Sequence, residues 1–307
     1  AVTTQCGLLR SRSASEMKRP GPRGPGRFSV ESYSPHPTPP WRKTTVSAGA
    51  VPVIRPHSWA HVVAPTNRRP FGFNWEDWGR AIEVRHEYAV VFATEMAFEL
   101  VGTAPHTPTT IASMSNYAEG AFIATQLAAY IANMGYSARA NHLRHYDTLL
   151  VPLAVDAGLG EVGRLGYLMT KDYGPRVRLG AVTTDLPLVA DCPVDIGVEH
   201  FCKICKKCAS CCPSGSIPLD DQKEVNGTLR WKLNAETCFD YWGKVGTDCN
   251  VCMRVCPWSH SNSFPHKVIR SLITRNHLSR KLFHFMDDIF YGRKPKSKGG
   301  PVWAQYE

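Results

Sequence analysis

The spacing of apolar and polar positions changes several times along the chain, and each change predicts an element. Between residues 107 and 135 apolar residues recur at Ile111, Met114, Ala118, Ala121, Phe122, Ala128 and Ile131, three or four apart, as on one face of a helix. Thr107 suits the N-cap, Pro108 the first helical position and Gly135 the stop, with Thr125 the polar interruption of the stripe. A further amphipathic helix is predicted near Trp75 to Glu87. Strands are predicted at Ala89-Val90-Val91-Phe92-Ala93, at Leu149-Leu150-Val151, and at Arg176-Val177-Arg178-Leu179-Gly180-Ala181-Val182. The middle of the chain is therefore α/β or α+β.

Composition adds a boundary. The 307 residues, 43% apolar and 20% charged, suffice for a real core. Most of the net charge of +10 arises in residues 1–60, which hold nine Lys or Arg against two Asp or Glu, together with nine of the 23 prolines. Residues 1–64 are expected to be a poorly ordered basic extension, or an arm that takes its order from the body. No run approaches the roughly 18 apolar residues that span a bilayer. No signal sequence is read at the start, and Arg68-Arg69 lacks the apolar stretch that an export signal requires.

The chemistry lies in the cysteines. Nine of the 11 fall between Cys202 and Cys256, a clustering that points to metal ligation and away from a disulfide framework. Cys202-x2-Cys205-x2-Cys208-x3-Cys212-Pro213 has the spacing of a bacterial ferredoxin run, whose fourth thiolate serves the other cluster. Cys249-x2-Cys252-x3-Cys256-Pro257 repeats its last three positions, and Cys238 lies upstream to complete the set. Crossover then predicts two 4Fe-4S clusters, one on Cys202, Cys205, Cys208 and Cys256, the other on Cys212, Cys238, Cys249 and Cys252. Paired zinc sites are the competing reading, and this spacing argues against them. Cys6, Cys192 and Cys211 are left as ordinary thiols.

These motifs sit in a longer pattern. Asn116-Tyr117, Leu127-Ala128-Ala129-Tyr130-Ile131 with Gly135-Tyr136, Ala157-Gly158-Leu159-Gly160-Glu161, Gly174-Pro175-Arg176-Val177-Arg178, Thr184-Asp185-Leu186-Pro187-Leu188, Cys256-Pro257-Trp258-Ser259-His260 and Asp287-Asp288-Ile289-Phe290-Tyr291-Gly292 together resemble the catalytic subunit of the corrinoid-dependent reductive dehalogenases, from about residue 65 to 307. The resemblance implies a nitroreductase-like, cobamide-binding α/β (α+β) domain over 65–195, a ferredoxin-like insert with two 4Fe-4S clusters over 196–262, and a C-terminal segment over 263–307 that packs back on the catalytic domain. It implies a base-off cobamide, a B12-type corrinoid, and reductive removal of halide from a chlorinated or brominated organohalide. Tyr117 is the implied proton donor and Arg178 the cation beside it, with Arg176 the alternative on the same strand. Asn141 is the third, polar member, for which His145 or Tyr146 could substitute. Gly158, Leu159 and Gly160 form a tight turn that, with Trp258 and His260, is assigned to cofactor binding.

Two other readings stand beside this one. One is an epoxyqueuosine-reductase-like corrinoid iron-sulfur enzyme, and the other a non-catalytic electron carrier. The resemblance also implies a low-potential electron donor, a small membrane anchor protein and a homodimer as partners, without nucleic acid. It implies organohalide respiration at the exported face of a membrane, with a cytoplasmic location as the alternative.

Overall fold

The computed structural model describes residues 46–52, 85–143, 145–225 and 227–300. Its central sheet runs β1 (Val46–Pro52), β2 (Tyr88–Glu95), β6 (Val177–Thr184), β3 (Ala138–Asn141), with every neighbouring pair antiparallel. Antiparallel pairing makes the fold α+β. Within the stretch read as an extension, residues 46–52 form an edge strand, and Pro52 at its end takes a place where a missing N–H is tolerated. The helix predicted from Trp75 lies outside the described residues up to position 84, and residues 85–87 are not helical.

Side chains alternate across the two central strands. Val91 and Ala181 face one way, against Leu153, Ala154 and Ala157; Phe92 and Val182 face the other, against Ala124 and Ile131. The first set packs on a helix, α3 (Leu150–Asp156), in the place where Leu149-Leu150-Val151 predicted a strand. Pro152 accounts for the difference. In a first helical turn its missing N–H has no partner to lose, whereas inside a sheet it would break a ladder.

The second set packs on the long helix α2 (Thr107–Asn133), which follows a single turn, α1 (Phe98–Val101). His106, not Thr107, is its N-cap, and Gly135 follows its end at φ 92°. The helix turns a different face inward from the one its apolar residues predict. It buries Pro108, Thr109, Ala112, Ser113, Asn116, Gly120, Ala124 and Ile131, while Met114 is 50% and Phe122 66% exposed. Small residues are needed there because the Phe92 ring already covers Gly180 on the sheet, so closely that a Cβ at Gly180 would collide with it.

After a short pair, β4 (Glu161–Val162) and β5 (Leu168–Met169), the cysteine segment begins. It comprises α4 (Val198–Cys205), α5 (Lys207–Ser210), the hairpin β7 (Lys223–Val225) and β8 (Thr228–Arg230), α6 (Ala235–Val245) and α7 (Val251–Arg254). The duplicated motif is visible in the backbone. Lys206 and Asn250 each adopt left-handed φ, 52° and 53°, two residues before Cys208 and Cys252, and each opens a short helix.

Two C-terminal helices follow, α8 (Phe264–Arg275) and α9 (His277–Tyr291). α9 packs on α4 of the cysteine segment. The Arg280 guanidinium covers Gly197 at the start of α4, where φ is 80° and a Cβ would collide with it. The Lys207 ammonium, with no exposure, is held by Asp287, by Asp288 at 2.8 Å and by the Gly292 carbonyl at 3.0 Å. The chain reaches the sheet domain further on, where Ser297 Oγ donates to Thr103 O at 2.8 Å and Lys298 N to Gly102 O at 3.0 Å.

Candidate functional site

Spacing on α4, α5 and α7 brings the thiols of the cysteine segment into two groups. Cys202, Cys205, Cys208 and Cys256 line one small cavity with Phe201 and Trp258. Charge at Cys202, Cys205 and Cys208 acts on Cys256, whereas charge at Cys212, Cys238 and Cys249 acts on Cys252; one influence, of Cys252 on Cys208, runs between the groups. Burial pushes Cys202 up to about 11 and Cys205 up to about 12, and raises Cys208, Cys252 and Cys256 as well. Thiols so buried stay protonated at neutral pH unless a cation meets them, so this donor set suits metal-sulfur clusters. Cys212 differs: burial alone would raise it, but hydrogen bonds from Ser214 and from the backbone N–H groups of Ser216 and Ile217 leave it lowered. Among the described residues no three His, Cys, Asp or Glu side chains close on a single-ion site, and a cubane, holding each thiolate at a different iron, needs wider spacing.

Cys211 stands apart from both groups. It contacts the Arg293 carbonyl at 3.5 Å, and Lys207, Lys294, Arg254 and Arg293 are the charges near it. Cys192, read from the sequence as an ordinary thiol, is disulfide-bonded. Cys6 lies outside the described residues.

Beside the second group stands the aromatic and cationic pair predicted for catalysis. Arg178 lies over the Tyr117 ring at 5.2 Å. Strand alternation puts Arg178 on the sheet face that meets α2, and Tyr117 follows Ser113 by one helical turn. Arg178 Nη2 donates to Ser113 Oγ at 2.8 Å and to Asp248 Oδ2 at 3.3 Å. Asp248 also accepts from Ser113, from Thr110 Oγ1 at 3.1 Å and from Asn250 Nδ2 at 2.8 Å, so the loop that carries Cys249 fixes the guanidinium. Arg178 Nε is buried and has no partner among the described residues. Tyr146 joins the pair: burial, and then the proximity of Tyr117, pushes its phenol up to about 12 against the opposing pull of Arg178. Tyr167 links this set to the thiols. Burial raises it most, then Cys252, while Arg178, Cys238 and Tyr117 also act on it.

Other predicted residues stand elsewhere. Arg176 precedes β6 and so does not share a strand face with Arg178. It is buried on Glu95 Oε1 at 3.1 Å, Ser259 O at 2.8 Å and Met96 O at 2.6 Å, a structural arrangement. Asn141, predicted as the third catalytic residue, pairs with Ala181 and therefore projects from the opposite sheet face to Arg178. It accepts from Asp147 N at 2.8 Å and donates to Arg139 O at 3.1 Å, which shapes the loop leading to Tyr146. The turn Gly158, Leu159, Gly160 is filled by the protein itself. A Cβ on Gly158 would stand 2.5 Å from Cys192 O, one on Gly160 would strike Met169 O, and Leu159 packs beside Leu153 and Ala154. Trp258 is buried at the first thiol cavity with Nε1 lacking an acceptor among the described residues, and His260 Nε2 meets Asp287 Oδ1 at 2.5 Å. On the outward side of α2, Met114 and Phe122 are exposed apolar side chains.

Sequence reasoning missed Ser113, Asp248 and Tyr167. A signal for the first was available, because Thr109, Ser113, Asn116 and Gly120 recur at helical spacing as a small, polar stripe.

Residues 201–260 match the family described as a 4Fe-4S dicluster domain. The chain is homologous to tetrachloroethene reductive dehalogenases: it is 34% identical over 205 residues to that of Desulfitobacterium hafniense, covering 63% of this chain and 37% of the relative. With that of Sulfurospirillum multivorans it is 34% identical over 216 residues, 68% of this chain and 43% of the relative. Among solved structures, a catabolic reductive dehalogenase superposes with a TM-score of 0.71 at 30% identity, covering 80% of this chain and 34% of that one. An epoxyqueuosine reductase of Cyclobacterium marinum matches over a shorter stretch, 33% identical over 120 residues. The chain thus spans about two-fifths of the length of these two tetrachloroethene dehalogenases.

Proposed function

We propose that this chain, a homologue of reductive dehalogenases in sequence and fold, is an oxidoreductase that removes halide from an organohalide. The reaction takes two electrons and one proton and yields the carbon–hydrogen product and a halide ion. A base-off cobamide, when bound, supplies the low-valent cobalt that reduces the substrate. The two thiol groups each hold one 4Fe-4S cluster, the first on Cys202, Cys205, Cys208 and Cys256, the second on Cys212, Cys238, Cys249 and Cys252, and relay single electrons from a low-potential donor.

The observation that carries the reading is the Tyr117–Arg178 pair next to the second thiol group. In this role the Tyr117 hydroxyl gives the proton to carbon, and the Arg178 guanidinium stabilises the phenolate left behind. The unpartnered Arg178 Nε is a donor free for the departing halide. Ser113 and Asp248 keep the guanidinium in place, and Tyr146 shields the pair from water. The exposed stripe of α2 at Met114 and Phe122 supplies apolar contact for the corrin and the halocarbon.

The test is stoichiometry with turnover. Anaerobic preparations should hold about eight iron and eight sulfide per chain, as two cubanes require, and acid extraction should release a cobamide. Halide release from tetrachloroethene, the compound in the relatives' names, and from a brominated phenol should depend on reduced viologen. Protein with both clusters and no extractable cobamide would be an electron carrier; a cobamide with turnover of an epoxyqueuosine stem-loop and no halide release would favour the epoxyqueuosine reductase reading.

Location and assembly belong to the same proposal. Among the described residues no helix is long and apolar enough to cross a membrane, and attachment at the exported face through a small anchor protein is proposed. Cell fractionation with and without that partner tests it.

A further inference from the structure

Arg254 ends α7, between Cys252 and Cys256. Two of its nitrogens, Nε and Nη1, are buried and have no hydrogen-bond partner among the described residues. Arg164, Arg176 and Arg178 each leave one nitrogen unpartnered, whereas Arg254 leaves two. Arg164 spends its other donors on the carbonyls of Cys202 at 3.1 Å, Pro218 at 2.7 Å and Asp220 at 2.8 Å. Leaving charged N–H groups buried and unpaired costs more than leaving a neutral group so, and an acceptor that the described residues do not provide belongs beside them. Sulfur flanks it in the chain, with Cys252 of the second group two residues before and Cys256 of the first two residues after. Cys211 and Cys249 are the groups that oppose the effect of burial on this guanidinium, and Cys249 is in the second thiol group.

We propose that Arg254 donates hydrogen bonds to sulfur of the second 4Fe-4S cluster and thereby raises that cluster's reduction potential. The inference rests on the two-cluster reading above and assigns one residue to its redox poise. Reduction adds an electron to an already anionic cluster, and N–H donors carrying positive charge stabilise that state more than the oxidised one. A second cluster held high in this way draws electrons from the first, so that the step between the two clusters is downhill.

The experiment compares the anaerobic holoprotein with Arg254→Gln and Arg254→Lys, by iron analysis and by a redox titration followed by electron paramagnetic resonance. The expected result is an unchanged iron count and a lower midpoint for the second cluster in Arg254→Gln. The shift should change the oxidised-to-reduced ratio at fixed potential about tenfold, which is about 59 mV for a one-electron couple. Arg254→Lys, which keeps the charge but not the paired donors, should fall between, and the first cluster should move less. An unmoved midpoint with intact iron overturns the proposal, as do equal shifts in both clusters. Loss of the second cluster from both variants also overturns it, because Arg254 would then be a structural clamp. Wild-type protein with about four iron would instead refute the two-cluster reading, and this inference with it.

Discussion

In the proposed reaction the proton that Tyr117 gives up leaves a phenolate to be stabilised, and the cation beside its ring is Arg178. Tyr117→Phe should keep iron and cobamide while turnover falls by roughly 10²–10⁴, the range for a lost general acid. Full activity in that variant would remove Tyr117 from the reaction. Arg178→Lys should lose turnover more than stability, since one ammonium cannot serve Ser113, Asp248 and the Tyr117 ring together. Arg176→Lys should show the opposite balance, a lower Tm with turnover retained in the folded fraction, because Arg176 is spent on carbonyls and Glu95. Equal effects in the two arginine variants would contradict this division. The difference between the arginines was half legible in the sequence. Their spacing of two implies a shared face only if both lie in the strand, and the strand starts at Val177. Asn141 was illegible for the related reason that its face depends on register against β6, which no local pattern records.

At the scale of elements, the attachment of α9 to the cysteine segment depends on one buried charge network. Burial alone would raise Asp287, but bonds from His260 and Lys207 leave it below the ordinary carboxylate range; Lys207 is raised by Asp287 and Asp288 despite its own burial. The depressed carboxylate stabilises the fold above its unfolded pKa and loses that contribution as pH falls through its folded value. The raised lysine contributes below its unfolded pKa and is lost only as pH climbs through its folded value. The network is therefore intact across the neutral range. Amide exchange in residues 277–291 should stay slow down to the ordinary carboxylate range and quicken below it. Lys207→Met should make it fast at neutral pH, since breaking a buried pair costs about 3–5 kcal/mol; unchanged protection would show that apolar packing alone holds α9. Elements were legible where periodicity and packing agree, as in β2 and β6. They were misread where an apolar run contains a proline, at Leu149 to Pro152, and where the largest apolar residues face outward, as on α2.

For the whole molecule, the two thiol groups occupy different surroundings, and that difference implies a direction. The first is enclosed by Phe201, Trp258 and Lys206, close to the Lys207 network and the C-terminal helices. The second shares Tyr167 as a neighbour with Arg178 and Tyr117, since Cys252, Cys238, Arg178 and Tyr117 all act on that phenol. Cysteine spacing alone predicted the grouping of the thiols, because a ferredoxin motif states its own crossover, but it could not say which thiol group lies beside Tyr117 and Arg178; that depends on where Asp248 and Tyr167 lie in the fold. Electrons should therefore enter at the first cluster and leave from the second. Cys205→Ser, which removes a ligand of the first, should abolish turnover with a protein donor yet leave part of it with a small viologen that can reach the second cluster directly. Cys249→Ser should abolish both. Cys211→Ser, altering a thiol outside both groups, should leave the iron count and both activities intact. Residual viologen turnover in Cys249→Ser but not in Cys205→Ser would reverse the order, placing the first cluster next to the substrate and Tyr167 outside the path.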